Sequence, residues 1–195
     1  IELINKNEKI CSYIDMPLQH INDKILKSMR RSTTKKRTNE LIKKIRKSKS
    51  NISIRTTVIV GYPGETNEIF NELKSWVMES KFERLGVFKY SHEEDTHAYS
   101  LIDDVDQEEK QRRYDEIMSI QKDISLSINK NKIGSEIKVL IDRFEKGFYY
   151  ARTEFDSPEV DNEVIIRNAE FLRVGSFTKV KIVDANYYDL FAEII

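Results

Sequence analysis

Apolar residues recur along this chain in two different rhythms, and the change between them falls near residues 132–135. In the first part, strand-like and helix-like patterns alternate. Tyr13 to Leu18 reads as a short buried strand. Asn22 stands where it would cap a helix whose apolar positions are Ile25, Leu26 and Met29. A second helical stretch, about 34–48, carries Leu41, Ile42 and Ile45 at helical spacing. The clearest strand, Ile52 to Val60, is stopped by Gly61-Tyr62-Pro63-Gly64. Thr66 then caps a helix with the stripe Ile69, Phe70, Leu73 and Val77. A strand from Arg84 to Tyr90 and a polar loop of about fifteen residues lead to a long helix near 107–131. Its predicted buried stripe is Tyr114, Ile117, Gln121, Ile124 and Ile128.

Strand and helix in alternation make a parallel α/β sheet. Three such units do not close a barrel, but they suit half of one. After Gly134, five short strands are predicted: 137–141, 147–152, 163–167, 177–183 and 189–195. Turn residues separate them and no helix-length run intervenes, which predicts a small β-barrel or sandwich. The expected fold class is α/β, a partial barrel over 1–132 followed by an all-β domain over 133–195.

Composition adds little until it is split. The 195 residues hold 33 Lys+Arg and 33 Asp+Glu, so the net charge is zero, and 39% are hydrophobic. That excludes a disordered polyelectrolyte. No apolar run approaches the ~20 residues of a membrane helix. Residues 1–132 carry 25 basic and 21 acidic side chains (+4), and residues 133–195 carry 8 and 12 (−4). Lys24 to Lys49 holds 12 basic residues and one acid, Glu40, a segment that could attract ribosomal RNA or form an ordinary solvated helix exterior. Cys11 is the single cysteine, so no internal disulfide forms and a reducing, cytoplasmic setting is expected. It reads as a small buried residue at a strand start.

Candidate chemistry sits at strand ends. Along 52–60, Ile52, Ile54, Thr56, Val58 and Val60 are expected to face the helices. Ser53, Arg55, Thr57 and Ile59 are expected to face the lumen of a barrel. Arg55 in a lumen needs an anion, either a ligand carboxylate or Asp15. Gln19 and His20 fall at the carboxyl end of the first strand, where α/β barrels place their active sites. His20 reads more simply as a structural hydrogen-bonder. The glycines of the 61–66 turn would let backbone approach a ligand, and the helix start favours anionic groups. No spacing among His20, His92 and His97 suits a metal.

Several stretches together carry a family resemblance. Asp15-Met16-Pro17-Leu18-Gln19-His20, Met29-Arg30-Arg31, Arg55 through Thr66, and Phe88 through Thr96 resemble the radical S-adenosylmethionine methylthiotransferases in order and spacing. Arg55-Thr56-Thr57, Glu93-Glu94 and Asp156 to Asp161 are more similar to the RimO-type branch, which acts on a small-subunit ribosomal protein, than to the MiaB-type tRNA branch. The resemblance implies a radical-SAM barrel half followed by a TRAM domain. It implies a parent enzyme that places a methylthio group on an aspartate β-carbon, using S-adenosylmethionine and two 4Fe–4S clusters. It implies cofactor contacts near Gln19, Arg55, Thr57, Ile59, Gly61 and Glu65, with no catalytic residue and no metal ligand among these residues. Six cluster cysteines are expected upstream of Ile1, and Cys11 matches none of them. Ser32, Asp95 and His97 depart from the family's usual Gly, Gly and Pro. The alternatives are a tRNA methylthiotransferase and, for this stretch by itself, a non-catalytic ribosome- or RNA-binding module.

Overall fold

In the computed structural model, residues 1–48, 51–167 and 172–195 are described. They form two compact units, residues 14–121 and residues 1–13 with 122–195. Lys49, the end of the basic run, lies outside the described residues.

The first unit is built on a three-stranded sheet of order β1-β2-β3, with β1 Tyr13–Asp15, β2 Ser53–Val60 and β3 Arg84–Lys89. Strands β2 and β3 run parallel, with Arg55 opposite Arg84, Thr57 opposite Gly86 and Ile59 opposite Phe88. Beyond β1 the chain keeps to β2: Met16 N–H donates to Arg55 O (2.9 Å) and Gln19 N–H to Thr57 O (2.8 Å). Three helices pack on this sheet, α2 Asp23–Ser28, α3 Lys35–Arg46 and α4 Asn67–Ser80. A short helix, α1 Glu2–Lys6, precedes them in the other unit.

The predicted caps form. Asn22 accepts from Lys24 and Ile25 N–H, and Thr66 accepts from Ile69 N–H. The two faces of β2 separate as the alternation requires: Ile54, Thr56, Val58 and Val60 are fully buried, while Arg55, Thr57 and Ile59 are half-buried. The first strand, expected buried over Tyr13 to Leu18, spans only Tyr13–Asp15, with Tyr13 and Ile14 half-buried and Asp15 exposed. Three further readings shift. In α3 the buried line is Thr38, Ile42 and Ile45, and Leu41, one residue off that line, is exposed. Cys11 is exposed rather than buried, because Ser12 takes the inward position ahead of β1.

The third shift is in α5, Gln107–Lys130. Ile117 and Gln121 of the predicted stripe are buried, but the buried line runs on through Lys110, Arg113, Ser125 and Asn129, and Tyr114, Ile124 and Ile128 are half-buried. Polar side chains go inward there because each meets a partner. Gln121 Nε2 donates to Phe82 O at 2.9 Å within the first unit. In the second, Ser125 Oγ donates to Tyr187 O at 2.6 Å and Asn129 Nδ2 to Asn186 O at 3.1 Å.

The second unit is a closed barrel of five strands: β4 Glu136–Glu145, β5 Phe148–Arg152, β6 Val164–Ile166, β7 Phe177–Ala185 and β8 Leu190–Ile194. The order is β4-β5-β6-β8-β7. Alternate residues of every strand, among them Val139, Ile141, Tyr149, Ala151, Val180 and Ile182, fill its core. Closure leaves no strand edge unpaired. Tyr13 Oη ties the amino-terminal segment to this unit by donating to Asp161 Oδ2 (2.8 Å).

Candidate functional site at the carboxyl ends of the parallel strands

The carboxyl ends of β1 and β2 and the segments after them surround a cavity of about 380 Å³. Its size falls in the range of ligand pockets, roughly 300–1,000 Å³. Gln19, Ile59, Tyr62 and Tyr90 line it, with Arg30, Arg31, Glu93 and His97 among the polar groups. Tyr62 and Tyr90 meet edge to face, ring centroids 5.2 Å apart. Burial, then the carboxylate of Asp103, pushes the Tyr90 phenol above its usual range, so it stays a neutral donor. It donates to Ala98 O (3.2 Å) and lies 3.0 Å from His92 Nδ1. Arg30 Nη2 reaches His97 Nδ1 at 2.9 Å, so a position where the family usually carries Pro here ties the loop to α2. Asp95 has φ 62°, a conformation that glycine adopts freely.

The six candidate residues divide into three groups. Gln19 and Ile59 line the cavity. Gln19 does so at φ 69°, held by its own backbone between Thr57 O and Ile59 N–H, both at 2.8 Å. A non-glycine residue in the left-handed region stores strain, which concentrates at functional sites. Arg55 and Thr57 stand further back on the same half-exposed face of β2. Arg55 Nε lies 3.7 Å from Asp15 Oδ2, so the protein carboxylate is one of its anions.

Gly61 and Glu65 build the turn. Glu65 Oε2 accepts from Gly61 N–H (2.9 Å) and Tyr62 N–H (3.4 Å). Glu65 Oε1 and the Glu65 carbonyl take Arg113 Nη1 at 3.0 and 2.6 Å. The Glu65 carboxylate therefore faces protein donors and holds Tyr62 at the cavity through the turn. His20, fully buried, accepts Asn22 N–H at Nδ1 (2.9 Å), which leaves the proton of a neutral ring on Nε2, 3.7 Å from Glu65 Oε2. Gly61 takes φ 72°, and a Cβ there would stand 2.3 Å from Lys110 Cγ. Lys110 in turn holds both Asp103 oxygens (2.7 and 2.8 Å), its ammonium 5.1 Å from the Tyr90 ring centroid.

Lys110, Arg113, Tyr62 and Tyr90 were not singled out from sequence. The signal for the first two is their spacing, three apart and in phase with Ile117 on one face of a long helix.

Comparison with known proteins finds two family matches and a set of similar proteins. Residues 1–77 match the family model of the radical SAM superfamily, and residues 133–195 match that of the TRAM domain. The chain is 54% identical over 194 residues to the Ribosomal protein uS12 methylthiotransferase RimO of Christiangramia forsetii, covering 99% of this chain and 43% of that protein. The proteins of the same name from Flavobacterium johnsoniae and Chlorobaculum tepidum are 52% and 49% identical, covering 99% and 100% of this chain. Over nearly its whole length the chain is similar to proteins named as methylthiotransferases, with a radical SAM match in its first part.

It spans 43–45% of the length of these three relatives. The radical SAM match implies S-adenosylmethionine and 4Fe–4S clusters. One cysteine cannot supply the thiolates that hold a cluster, and among the described residues no group of three His, Cys, Asp or Glu could hold a metal ion. A cluster does not fit the methylthiotransferase residues present here. S-adenosylmethionine does fit them, since the cavity offers aromatic faces, an amide and guanidinium groups. Among the described residues no helix is long and apolar enough to cross a membrane.

Proposed function

We propose that this chain is the cofactor-facing and substrate-docking part of an enzyme that methylthiolates the β-carbon of an aspartate in the small-subunit ribosomal protein uS12. The carrying observation is the 54% identity, over 99% of the chain, to a protein named for that activity. The cavity at the strand ends supports it, because parallel α/β barrels build their active sites there. The working division is 1–132, half of a radical-SAM barrel, and 133–195, the TRAM domain.

The parent protein uses S-adenosylmethionine and two 4Fe–4S clusters, whose thiolates lie upstream of Ile1. Such cofactors supply radical formation and sulfur insertion, and the protein binds and orients them. Gln19 and Ile59 bound the ligand in the cavity. Arg55 offers its guanidinium to the ligand's carboxylate, and Thr57 offers a hydroxyl on the same face. Gly61 and Glu65 hold the turn that keeps Tyr62 against Tyr90. The partners are uS12 and, through the basic helices at 24–49, ribosomal RNA. The proposed location is the cytoplasm.

The test is anaerobic turnover of the parent protein with S-adenosylmethionine and a uS12 peptide containing the target aspartate. Mass spectrometry is expected to find one hydrogen replaced by a methylthio group on that residue. Modification of tRNA adenosine, with the peptide untouched, would refute the proposal. The 195 residues alone, incubated with iron and sulfide, are expected to develop no stoichiometric visible charge-transfer absorbance.

A further inference from the structure

The cations of α3 fall into two sets once their neighbours are considered. One set is neutralised inside the protein, by carboxylates of α4 and of the segment that follows it. Lys35 Nζ holds Glu72 Oε1 at 2.7 Å, and Arg46 Nη1 holds Glu83 Oε1 at 2.5 Å. The hydrogen bond that Lys35 donates to Glu72 raises the Lys35 ammonium's pKa above its usual value. The other set is Lys36, Arg37, Lys43, Lys44 and Lys47, all exposed and, among the described residues, without a carboxylate partner. At 3.6 residues per turn they make two rows, Lys36–Lys43–Lys47 and Arg37–Lys44, opposite the buried line Thr38, Ile42 and Ile45. The longer row extends about 16 Å along the axis at ~1.5 Å per residue. One acid, Glu40, interrupts the stripe.

Elsewhere in this unit helix-borne cations meet carboxylates: Lys74 of α4 meets Glu116 of α5, and within α5 Arg112 meets Glu109 and Glu116. An unmatched double row is therefore a local exception. We infer that this stripe of α3, rather than the basic segment as a whole, is a contact for the phosphate backbone of structured RNA. The inference rests on the uS12 reading, which gives the enzyme a substrate that belongs to a ribosome. RNA is favoured over an anionic membrane because the stripe has no apolar side chain to insert. Its nearest, Leu41, lies at the edge, and Trp76 beneath α3 is buried. Backbone neutralisation by lysines carries no base specificity and depends steeply on salt.

The test measures binding of the parent protein to a fluorescein-labelled hairpin of small-subunit ribosomal RNA by anisotropy across a salt series. The triple change K36E/K43E/K47E is expected to weaken binding at least about tenfold and to flatten the log–log salt slope by about 2–3. Glu40→Lys is expected to tighten binding and steepen the slope, a gain that a misfolded variant cannot produce. An unchanged affinity and slope in both variants overturns the inference. So does wild-type protein that binds phosphatidylserine vesicles but not the hairpin. Methylthiolation separates the two readings. If the uS12 reading holds, wild type and the triple variant modify the free uS12 peptide equally, and only activity on the intact small subunit falls in the variant. A wild type inert on the free peptide sinks the uS12 reading by itself, whatever the RNA data give.

Discussion

At Gly61, backbone and packing demands coincide. The residue is at φ 72°, and any Cβ would press on Lys110 Cγ at 2.3 Å. Gly61→Ala is expected to cost about 2–4 kcal/mol, summing a left-handed non-glycine residue and an overpacked contact. Urea denaturation measures it. Adding Lys110→Ala should recover the steric share and leave the backbone share, so the two changes are non-additive. The expectation for Arg55 concerns the ligand. It stands half-buried, its Nε 3.7 Å from Asp15 Oδ2. Arg55→Ala in the parent protein is expected to raise the Kd for S-adenosylmethionine by about tenfold or more, the loss of one charge-assisted hydrogen bond. Equilibrium dialysis with an unchanged Kd would remove Arg55 from the binding site. Glu65 enters the candidate set through the family resemblance, not through its turn. Its sequence could not tell that its oxygens are filled by Gly61, Tyr62 and Arg113, because Arg113 lies 48 positions away.

At the scale of elements, α5 shows what periodicity can and cannot find. Its extent was readable, because a run of that length without Gly or Pro has one regular conformation open to it. Its face was not, because Lys110 and Arg113 are charges that hydropathy assigns to solvent. They are buried since Asp103, Glu65 and Glu109 await them. The first turn of α5 also sets a pH dependence. Hydrogen bonds from Arg112, then Arg113, outweigh desolvation and hold Glu109 down to about 2 from its ordinary 4.5. A depressed carboxylate stabilises the fold above its unfolded value, and the contribution is lost as pH falls through the folded one. The stability difference between wild type and Glu109→Gln should therefore be full at neutral pH and shrink from pH 4.5 to about 2. Thermal melts across that range will show it; a difference that does not vary with pH would assign Glu109 a packing role.

At the scale of the whole molecule, the second unit begins earlier than the change of rhythm near 132–135. It takes in α5 from Lys122 and the residues up to Tyr13. The reason is side-chain chemistry on the last turns of α5. Ser125 and Asn129 bond the carbonyls of Tyr187 and Asn186, and Asn129 Oδ1 accepts from Asn162 at 3.2 Å. A polypeptide starting at Lys122 should therefore melt higher than one starting at Ile133. With about 0.5–1.5 kcal/mol for each hydrogen bond, the gap is several degrees. Equal melting temperatures would show that α5 lends the barrel nothing. The unit of residues 14–121 carries an open sheet of order β1-β2-β3, whose edge strands can pair with further chain.

Sequence alone determined the strands and helices apart from α1 and the extent of β1, the caps at Asn22 and Thr66, and the alternation of β2 from Ile54 to Val60. Each depends on residues near one another in the chain. Tertiary structure alone decided which face of α5 is buried, the exposure of Cys11 and Leu41, and the enclosure of the cavity by Tyr62 and Tyr90. It also decided which lysines of α3 are already paired. Those outcomes turn on partners that folding brings from distant positions, and a one-dimensional pattern holds no record of them.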